Sequence, residues 1–192
     1  MDAIALLKAD HAEVEKLFKR FESLGPRAKK TKADVAQKVI SALSQHAVIE
    51  EQILYPTVRE RLPDEEDTVL ESLEEHHVVK WVLSELDGLT PDDERFDAKF
   101  TVMAESVRHH VKEEERELFP KLRKGFKKTE LDALGEQLAA AKKTAPTKPH
   151  PRSPDEPPGN VLAAAATLPL DMARSAGETA VRRVRQAATG KD

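Results

Sequence analysis

Two stretches of the chain have nearly the same sequence: residues 46–59, HAVIEEQILYPTVR, and residues 110–123, HVKEEERELFPKLR. Each copy follows the pattern H-x-x-x-E-E-x-x-L-[YF]-P-x-[VL]-R. The repeat extends upstream, because His11 lies 35 residues before His46 and His76 lies 34 residues before His110. Packing alone does not explain two copies of so polar a motif. The chain therefore reads as a duplicated two-helix unit that presents His, then His-x-x-x-Glu.

Composition limits the class of protein. The 192 residues contain no cysteine, which excludes disulfides and thiolate metal sites. They contain no apolar run long enough to span a membrane and no signal-peptide pattern at the start, so we expect a cytoplasmic protein without a transmembrane segment. Residues 1–143 hold 24 Lys and Arg against 30 Asp and Glu, and this acidic balance argues against nucleic acid as a partner.

Residues 1–143 show helical periodicity and no convincing strand pattern. The predicted fold is all-α: an antiparallel up-down four-helix bundle over residues 1–125, followed by a short fifth helix over 129–143. The four long helices are expected over residues 2–24, 32–62, 66–89 and 90–125. Pro56 is expected to bend the second helix rather than end it, since apolar spacing resumes at Val58. Thr90, followed by Pro91, is expected to cap the fourth helix.

The composition changes abruptly after residue 143. Residues 145–159 are rich in Pro and predict an extended linker. Residues 160–192 are rich in Ala and end in a short basic run at residues 182–185, with little bulk to build a core. We therefore assign residues 1–143 to the bundle domain and residues 144–192 to a largely disordered linker and tail, which a protein partner could bind.

Six polar residues fall where core residues are expected. The inner stripes of the four helices include His11, His46, His76 and His110, and Glu50 and Glu114 follow two of these histidines at i+4 on the same helix face. Glutamate is rarely buried without a partner. Because each of the four helices places a histidine on its inner face, and two of them add a glutamate, the sequence predicts a metal site built from these six residues.

The kinds of ligand narrow the metal. Imidazole and carboxylate without sulfur suit iron or manganese, and six protein ligands are too many for one tetrahedral zinc. Two metal ions fit better. In that arrangement Glu50 and Glu114 bridge the ions, and one trial pairing gives His11 and His46 to one ion and the remaining two histidines to the other.

These residues resemble the hemerythrin-like, or HHE cation-binding, family over about residues 1–125. The phrases that carry the resemblance are Asp10-His11, His46-x-x-x-Glu50-Glu51-x-x-x-Tyr55-Pro56, Glu75-His76-His77 and His110-x-x-x-Glu114-Glu115-x-x-x-Phe119-Pro120. The resemblance implies a four-helix bundle with two non-haem iron ions, held by His11, His46, Glu50, His76, His110 and Glu114.

The chain departs from the oxygen-carrying members at Lys80, where their third helix supplies a further histidine one turn after the position of His76. This difference puts reversible oxygen carriage in doubt. Glu15, one turn after His11, is a candidate replacement ligand, and His77 is a candidate ligand or hydrogen-bond partner of a ligand. Lys80 could instead point outward.

Three functions stay open at this point. The first is a di-iron protein that meets dioxygen, peroxide or nitric oxide in sensing, detoxification or iron handling, with redox enzyme activity undecided. The second is an iron-responsive interaction module whose C-terminal tail binds a partner. The third is a helical bundle without metal, its polar residues tied together by hydrogen bonds.

Overall fold

A computed structural model describes residues 1–163 and shows a helical bundle. Helix α1 spans Ala3–Glu22, α2 Lys29–Ile49, α3 Tyr55–Arg61, α4 Glu66–Asp87, α5 Phe96–Glu113, α6 Phe119–Gly125 and α7 Lys128–Lys142. A π-helical turn at Glu50–Leu54 joins α2 to α3, and another at Glu114–Leu118 joins α5 to α6, so each pair forms one long helix. A 3-10 turn at Pro63–Glu65 precedes α4. The predicted all-α bundle with a short additional helix is confirmed.

Local signals explain where α1 begins but not where α5 begins. Asp2 caps α1, since its carboxylate accepts the backbone N–H of Ala5 at 2.7 Å. Helix α5 begins six residues later than Thr90, the predicted cap. The Asp93 carboxylate accepts both the backbone N–H and the hydroxyl of Thr90, at 2.7 and 2.8 Å, and closes a separate turn. The apolar stripe of α5 then starts at the buried Phe96.

Two apolar clusters fill the bundle, one toward each end. The cluster at the α7 end includes Ile4, Leu7, Leu54, Val69, Leu73, Leu118 and Leu134. The cluster at the other end includes Val14, Phe18, Val39, Leu43, Leu83, Phe100 and Val107. On α1, His11 lies between Leu7 of one cluster and Val14 of the other. The predicted polar positions therefore form a layer between two hydrophobic cores.

Helix α7 packs closely on the start of the chain. A Cβ atom built on Gly135 would lie 2.3 Å from the carbonyl oxygen of Met1 and 2.8 Å from the backbone nitrogen of Ala3. Glycine at this position lets the two backbones approach. At the end of the same helix, Lys142 forms an ion pair of 2.6 Å with Asp10.

The Pro-rich segment lies against the bundle. Ala145, Lys148 and Asn160 are buried, and Lys148 bonds to Asp87 at 2.7 Å and to Gln37 at 3.3 Å. The segment was expected to be extended; it instead runs through a series of turns and bends along the face formed by α2 and α4, with a helical turn at residues 159–163. The predictions about a disordered, basic, partner-binding tail beyond residue 163 lie outside the described residues. Among the described residues, no helix is long and apolar enough to cross a membrane.

Candidate metal centre

Four histidine side chains converge at the centre of the bundle, one from each long helix. The Nε2 atoms of His11 and His46 lie 3.2 Å apart, and those of His76 and His110 lie 3.1 Å apart. All four side chains are buried. Two Nε2 atoms this close suit a shared cation when each ring carries its proton on Nδ1, because both Nε2 atoms are then acceptors and cannot hydrogen-bond to each other.

Two glutamates complete the layer. An Oε2 atom of Glu50 lies 3.1 Å from His46 Nε2 and 3.4 Å from His76 Nε2, so this carboxylate spans the two histidine pairs. An Oε2 atom of Glu114 lies 3.4 Å from His11 Nε2 and 3.7 Å from His110 Nε2. The structure thus brings together all six residues predicted as ligands.

The buried carboxylate oxygens lack hydrogen-bond donors. Within residues 1–163, neither oxygen of Glu50 accepts a hydrogen bond, although His46 Nε2 lies 3.1 Å from Oε2, and Glu114 accepts one, from the Tyr55 hydroxyl to Oε1 at 3.2 Å. A buried carboxylate without a compensating partner is strongly unfavourable. This observation argues against the bundle tied only by hydrogen bonds, and it fits carboxylates that bind a cation.

The candidate ligand atoms separate into two groups that share Glu50. One group contains His11, His46, Glu50 and Glu114; the other contains Glu50, His76 and His110. Within each group the ligand atoms lie within 4.8 Å of one another. This division agrees with the trial pairing of histidines from the sequence and leaves the second group with fewer protein ligands.

Each histidine presents its other ring nitrogen to a carboxylate. Three Nδ1 atoms lie within hydrogen-bond distance: His11 to Glu115 at 3.0 Å, His76 to Glu51 at 3.1 Å, and His110 to Glu75 at 2.7 Å. His46 Nδ1 faces Asp10 at 3.6 Å. A carboxylate at Nδ1 keeps the proton on that nitrogen and leaves Nε2 free as a metal ligand.

These carboxylates carry the same duplication as the ligands. Asp10 and Glu75 directly precede a histidine, and Glu51 and Glu115 directly follow a glutamate of the layer. Glu51 and Glu115 contact histidines of the opposite half, His76 and His11. The roles of Asp10 and Glu75 were missed, although the repeated acid–histidine pair was the available signal.

The two π-helical turns occur at the same place in both copies of the motif. The backbone N–H of Tyr55 donates to the carbonyl of Glu50, and that of Phe119 donates to the carbonyl of Glu114, five residues back. Pro56 and Pro120 follow directly, and a proline lacks the N–H and crowds the carbonyl four residues earlier. The wider turn relieves this conflict and lets both Glu50 and Glu51 be buried.

Burial and mutual charge shift the pKa values of these groups. Burial opposes the charged form of His46, but the surrounding carboxylates, foremost Glu50, raise its pKa to about 10. Burial also opposes ionisation of Glu114, yet nearby histidines, foremost His110, lower its pKa to about 2. Burial lowers the pKa of His76 well below its usual range. Similar side chains thus have very different proton affinities, as functional clusters often do.

A small cavity of about 30 Å³ lies against the histidines, on the side away from the π-helical turns that carry Glu50 and Glu114. Its other walls are mainly apolar side chains of Val14, Leu43, Ala47, Val79, Leu83, Val107 and Val111. A space of this size admits one or two water-sized molecules. The four histidine side chains therefore border a largely apolar space that is large enough for a small ligand.

The additional candidates lie outside the cluster. The Glu15 carboxylate accepts hydrogen bonds from Arg108 at 2.9 and 3.2 Å, on the outer side of α1. His77 is partly exposed and accepts a hydrogen bond from the indole of Trp81 at 3.2 Å. Lys80 is buried and does not point outward: its Nζ lies 3.0 Å from Oε1 of Glu51. Neither Glu15 nor His77 supplies a ligand atom to the groups around Glu50 in this arrangement.

The fold and the site define a helical bundle with a buried imidazole and carboxylate centre for cations. The hemerythrin HHE cation binding domain family matches residues 2–122, and the chain belongs to this family. It is 29% identical over 133 residues to an uncharacterized hemerythrin-like protein of Schizosaccharomyces pombe, a match that covers 69% of this chain and 66% of that protein.

A further sequence match and a solved structure complete the comparison. The chain is 27% identical over 137 residues to a protein of Nostoc sp. named a DNA nickase, and this match covers 71% of the chain and 38% of the Nostoc protein. The crystal structure of a hemerythrin HHE cation binding domain-containing protein from Mycobacterium kansasii superposes with a TM-score of 0.64 at 21% identity. The superposition covers 74% of this chain and 86% of that one.

Proposed function

We propose that the polar layer holds two non-haem iron ions and that dioxygen, peroxide or nitric oxide meets them from the adjoining cavity. The observation that carries this proposal is the pair of buried glutamates, three of whose four carboxylate oxygens have no hydrogen-bond donor in the part of the chain that the structure describes. Two divalent cations would compensate this charge. Iron is favoured over zinc because the donors are imidazole and carboxylate only and because they form two groups around a shared carboxylate.

The protein's own groups fit this function. The carboxylates at Nδ1 hold each imidazole in the tautomer that offers Nε2 to a metal. The apolar cavity walls exclude bulk water and admit a ligand of two or three atoms. When bound, the iron pair supplies electron exchange and an open coordination position.

The smaller ligand group, made of Glu50, His76 and His110, is the position we assign to ligand access. It offers three protein ligands, whereas the other group offers four. Lys80, which replaces a histidine of the oxygen carriers, leaves this group without a further nitrogen. We therefore propose sensing, detoxification of peroxide or nitric oxide, or iron handling ahead of reversible oxygen carriage. The nickase activity in the name of the Nostoc relative is not carried over, because the bundle is acidic.

The test compares two adjacent histidines. The full chain, purified from iron-replete cells, is expected to contain about two iron ions, as di-iron bundles do. His110→Ala removes a ligand and should lose iron, while the exposed neighbour His109→Ala should keep it. Elemental analysis with circular dichroism as a check of helicity measures both. A metal-free wild-type protein, or equal iron in the two variants, would overturn the proposal.

A second measurement separates turnover from binding. Peroxide consumption by the iron-loaded protein, abolished in His110→Ala and retained in His109→Ala, would assign redox enzyme activity to the centre. Iron binding with no peroxide consumption would favour sensing or iron handling instead.

A further inference from the structure

The docked C-terminal segment reaches the candidate metal centre through a short series of ion pairs. Asp155 of this segment forms an ion pair with Lys80 of α4. Lys80 Nζ in turn lies 3.0 Å from Oε1 and 3.1 Å from Oε2 of Glu51. Glu51 Oε1 lies 3.1 Å from Nδ1 of His76. Three contacts therefore join residue 155 to a predicted metal ligand.

The inner members of this series are deeply buried. The side chain of Lys80 is 8% exposed and that of Glu51 is 3% exposed. A buried ammonium and a buried carboxylate are each unfavourable alone, and each is tolerated here because the other compensates it. Removal of Lys80 would therefore leave Glu51 without its cation and free to change its contact with His76.

Several other contacts hold the segment in place. Glu156 pairs with Arg59, Lys148 pairs with Asp87 at 2.7 Å, and the guanidinium of Arg152 lies 6.0 Å from the centre of the Trp81 ring. These contacts do not touch Glu51 or Lys80. They anchor the segment, whereas the ion pair of Asp155 joins the series that leads to His76.

Among residues 1–163, no segment covers the equivalent contact in the other half. Glu115, the counterpart of Glu51, bonds to His11 Nδ1 at 3.0 Å and pairs with Lys8 at 3.0 Å. The side chains of Glu115 and Lys8 are 30% and 45% exposed. An exposed pair of this kind contributes little, because water screens it. His76 is thus supported by a buried pair, Glu51 and Lys80, which the segment covers. His11 is supported by an exposed pair, Glu115 and Lys8.

We propose that Lys80 and Asp155 are positioning residues that hold His76, so that docking of residues 145–160 sets the metal affinity of the position formed by His76 and His110. This inference rests on the proposed metal function. In this inference the ion pair with Asp155 holds Lys80 in place, and Lys80 holds the carboxylate of Glu51. Glu51 in turn orients the ring of His76 so that Nε2 is directed to the cation.

The test titrates the metal-stripped full chain with Co²⁺ and resolves the two binding steps by visible absorption. Lys80→Met should weaken one step about 10- to 100-fold, the usual loss when a residue that orients a ligand is removed, and should leave the other step unchanged. Asp155→Ala should weaken the same step by a smaller factor. Lys80→Arg, which keeps the cation, should restore most of the affinity.

Two matched controls isolate the effect. Lys8→Met removes the corresponding cation at Glu115 and should leave both steps within about threefold, because that pair is exposed. Glu156→Gln loosens the segment at Arg59 without touching the series and should affect the weakened step less than Asp155→Ala. Circular dichroism of each metal-stripped variant confirms that the bundle is folded.

The outcomes distinguish this inference from the function on which it rests. Two tight Co²⁺ steps in wild type that persist unchanged in both Lys80→Met and Asp155→Ala would overturn the positioning role and leave the metal function intact. Equal weakening of both steps would also overturn it, since it would indicate a general loss of stability. A wild-type chain that binds no Co²⁺ would overturn the metal function itself.

Discussion

The two copies of the repeated motif build matching structures but sit in different surroundings. Both copies form a π-helical turn, both bury a glutamate, and both direct a histidine to the central layer. The groove between α1 and α5, beside the second copy, holds about 700 Å³ of open space. The corresponding groove between α2 and α4 is covered by the Pro-rich segment, beneath which spaces of about 30 Å³ and about 250 Å³ remain. The repeated motif therefore accounts for the kinds of ligand in both copies. Residues outside the repeat make the surroundings of the two copies different.

A first way to break the symmetry is to neutralise each glutamate in turn. Glu50 belongs to both ligand groups, whereas Glu114 groups with His11 and His46 and lies farther from the second pair, its Oε2 atom 3.7 Å from His110 Nε2, although the two glutamates have equivalent places in the sequence. Glu50→Gln should therefore lose nearly all metal, while Glu114→Gln should keep the ion held by His76 and His110. Elemental analysis after dialysis against iron measures the difference. Equal loss in the two variants would show that the halves bind metal as equals.

The central layer was predictable because its residues obey helical spacing. Each of the four histidines occupies a position that the apolar stripe predicts, and each glutamate follows at i+4, so the local pattern alone places them on one face. The grouping around Glu50 required the packed helices. Spacing along one helix does not reveal which nitrogen of a second helix lies opposite.

Other features depended on contacts that local pattern does not encode. Pro56 predicted a bend, but the π-helical turn depends on how the backbone resolves the missing N–H while Glu50 and Glu51 are both drawn inward. Lys80 finds its partner 75 residues away in Asp155, which lies in a segment whose composition predicts only an extended chain. Charge pairing across such a separation follows from the packing of the segment and not from its sequence.

A second test concerns α7, which packs against α1 and α2 of the first half. Gly135→Ala would place a methyl group 2.3 Å from the Met1 carbonyl oxygen, so the two backbones must separate. We expect a loss of about 1–3 kcal/mol in the free energy of unfolding, as for other overpacked positions. Urea denaturation measures it, with Gly25→Ala as the control, because no atom lies within 4 Å of a Cβ built there.

The same variant sharpens the comparison of the halves. Lys142 at the end of α7 pairs with Asp10, which faces Nδ1 of His46. Displacement of α7 should therefore weaken the metal position of His11 and His46 and spare that of His76 and His110. A loss of metal affinity confined to the position of His76 and His110 would show that α7 affects the centre through other contacts.

The smallest expected effect comes from the one aromatic difference between the copies. Tyr55 donates its hydroxyl hydrogen to Glu114 at 3.2 Å, whereas the counterpart Phe119 has no hydroxyl and stacks on His11 with ring centroids 5.9 Å apart. In metal-stripped protein, Tyr55→Phe removes the one donor to Glu114 and should cost about 1 kcal/mol, the net value of a typical hydrogen bond. Urea denaturation in the presence of a chelator measures the change.

Phe119→Tyr tests whether the halves are equivalent at this point. If the repeat places residue 119 relative to Glu50 as it places Tyr55 relative to Glu114, the new hydroxyl gives Glu50 a donor that it lacks. The metal-stripped variant should then be more stable than wild type by at most about 1 kcal/mol, because the gained bond is partly offset by the tight packing around a buried ring. Destabilisation by more than that amount would show that the packing around Phe119 leaves no room for a hydroxyl. The two copies would then differ in their backbone positions as well as in this side chain.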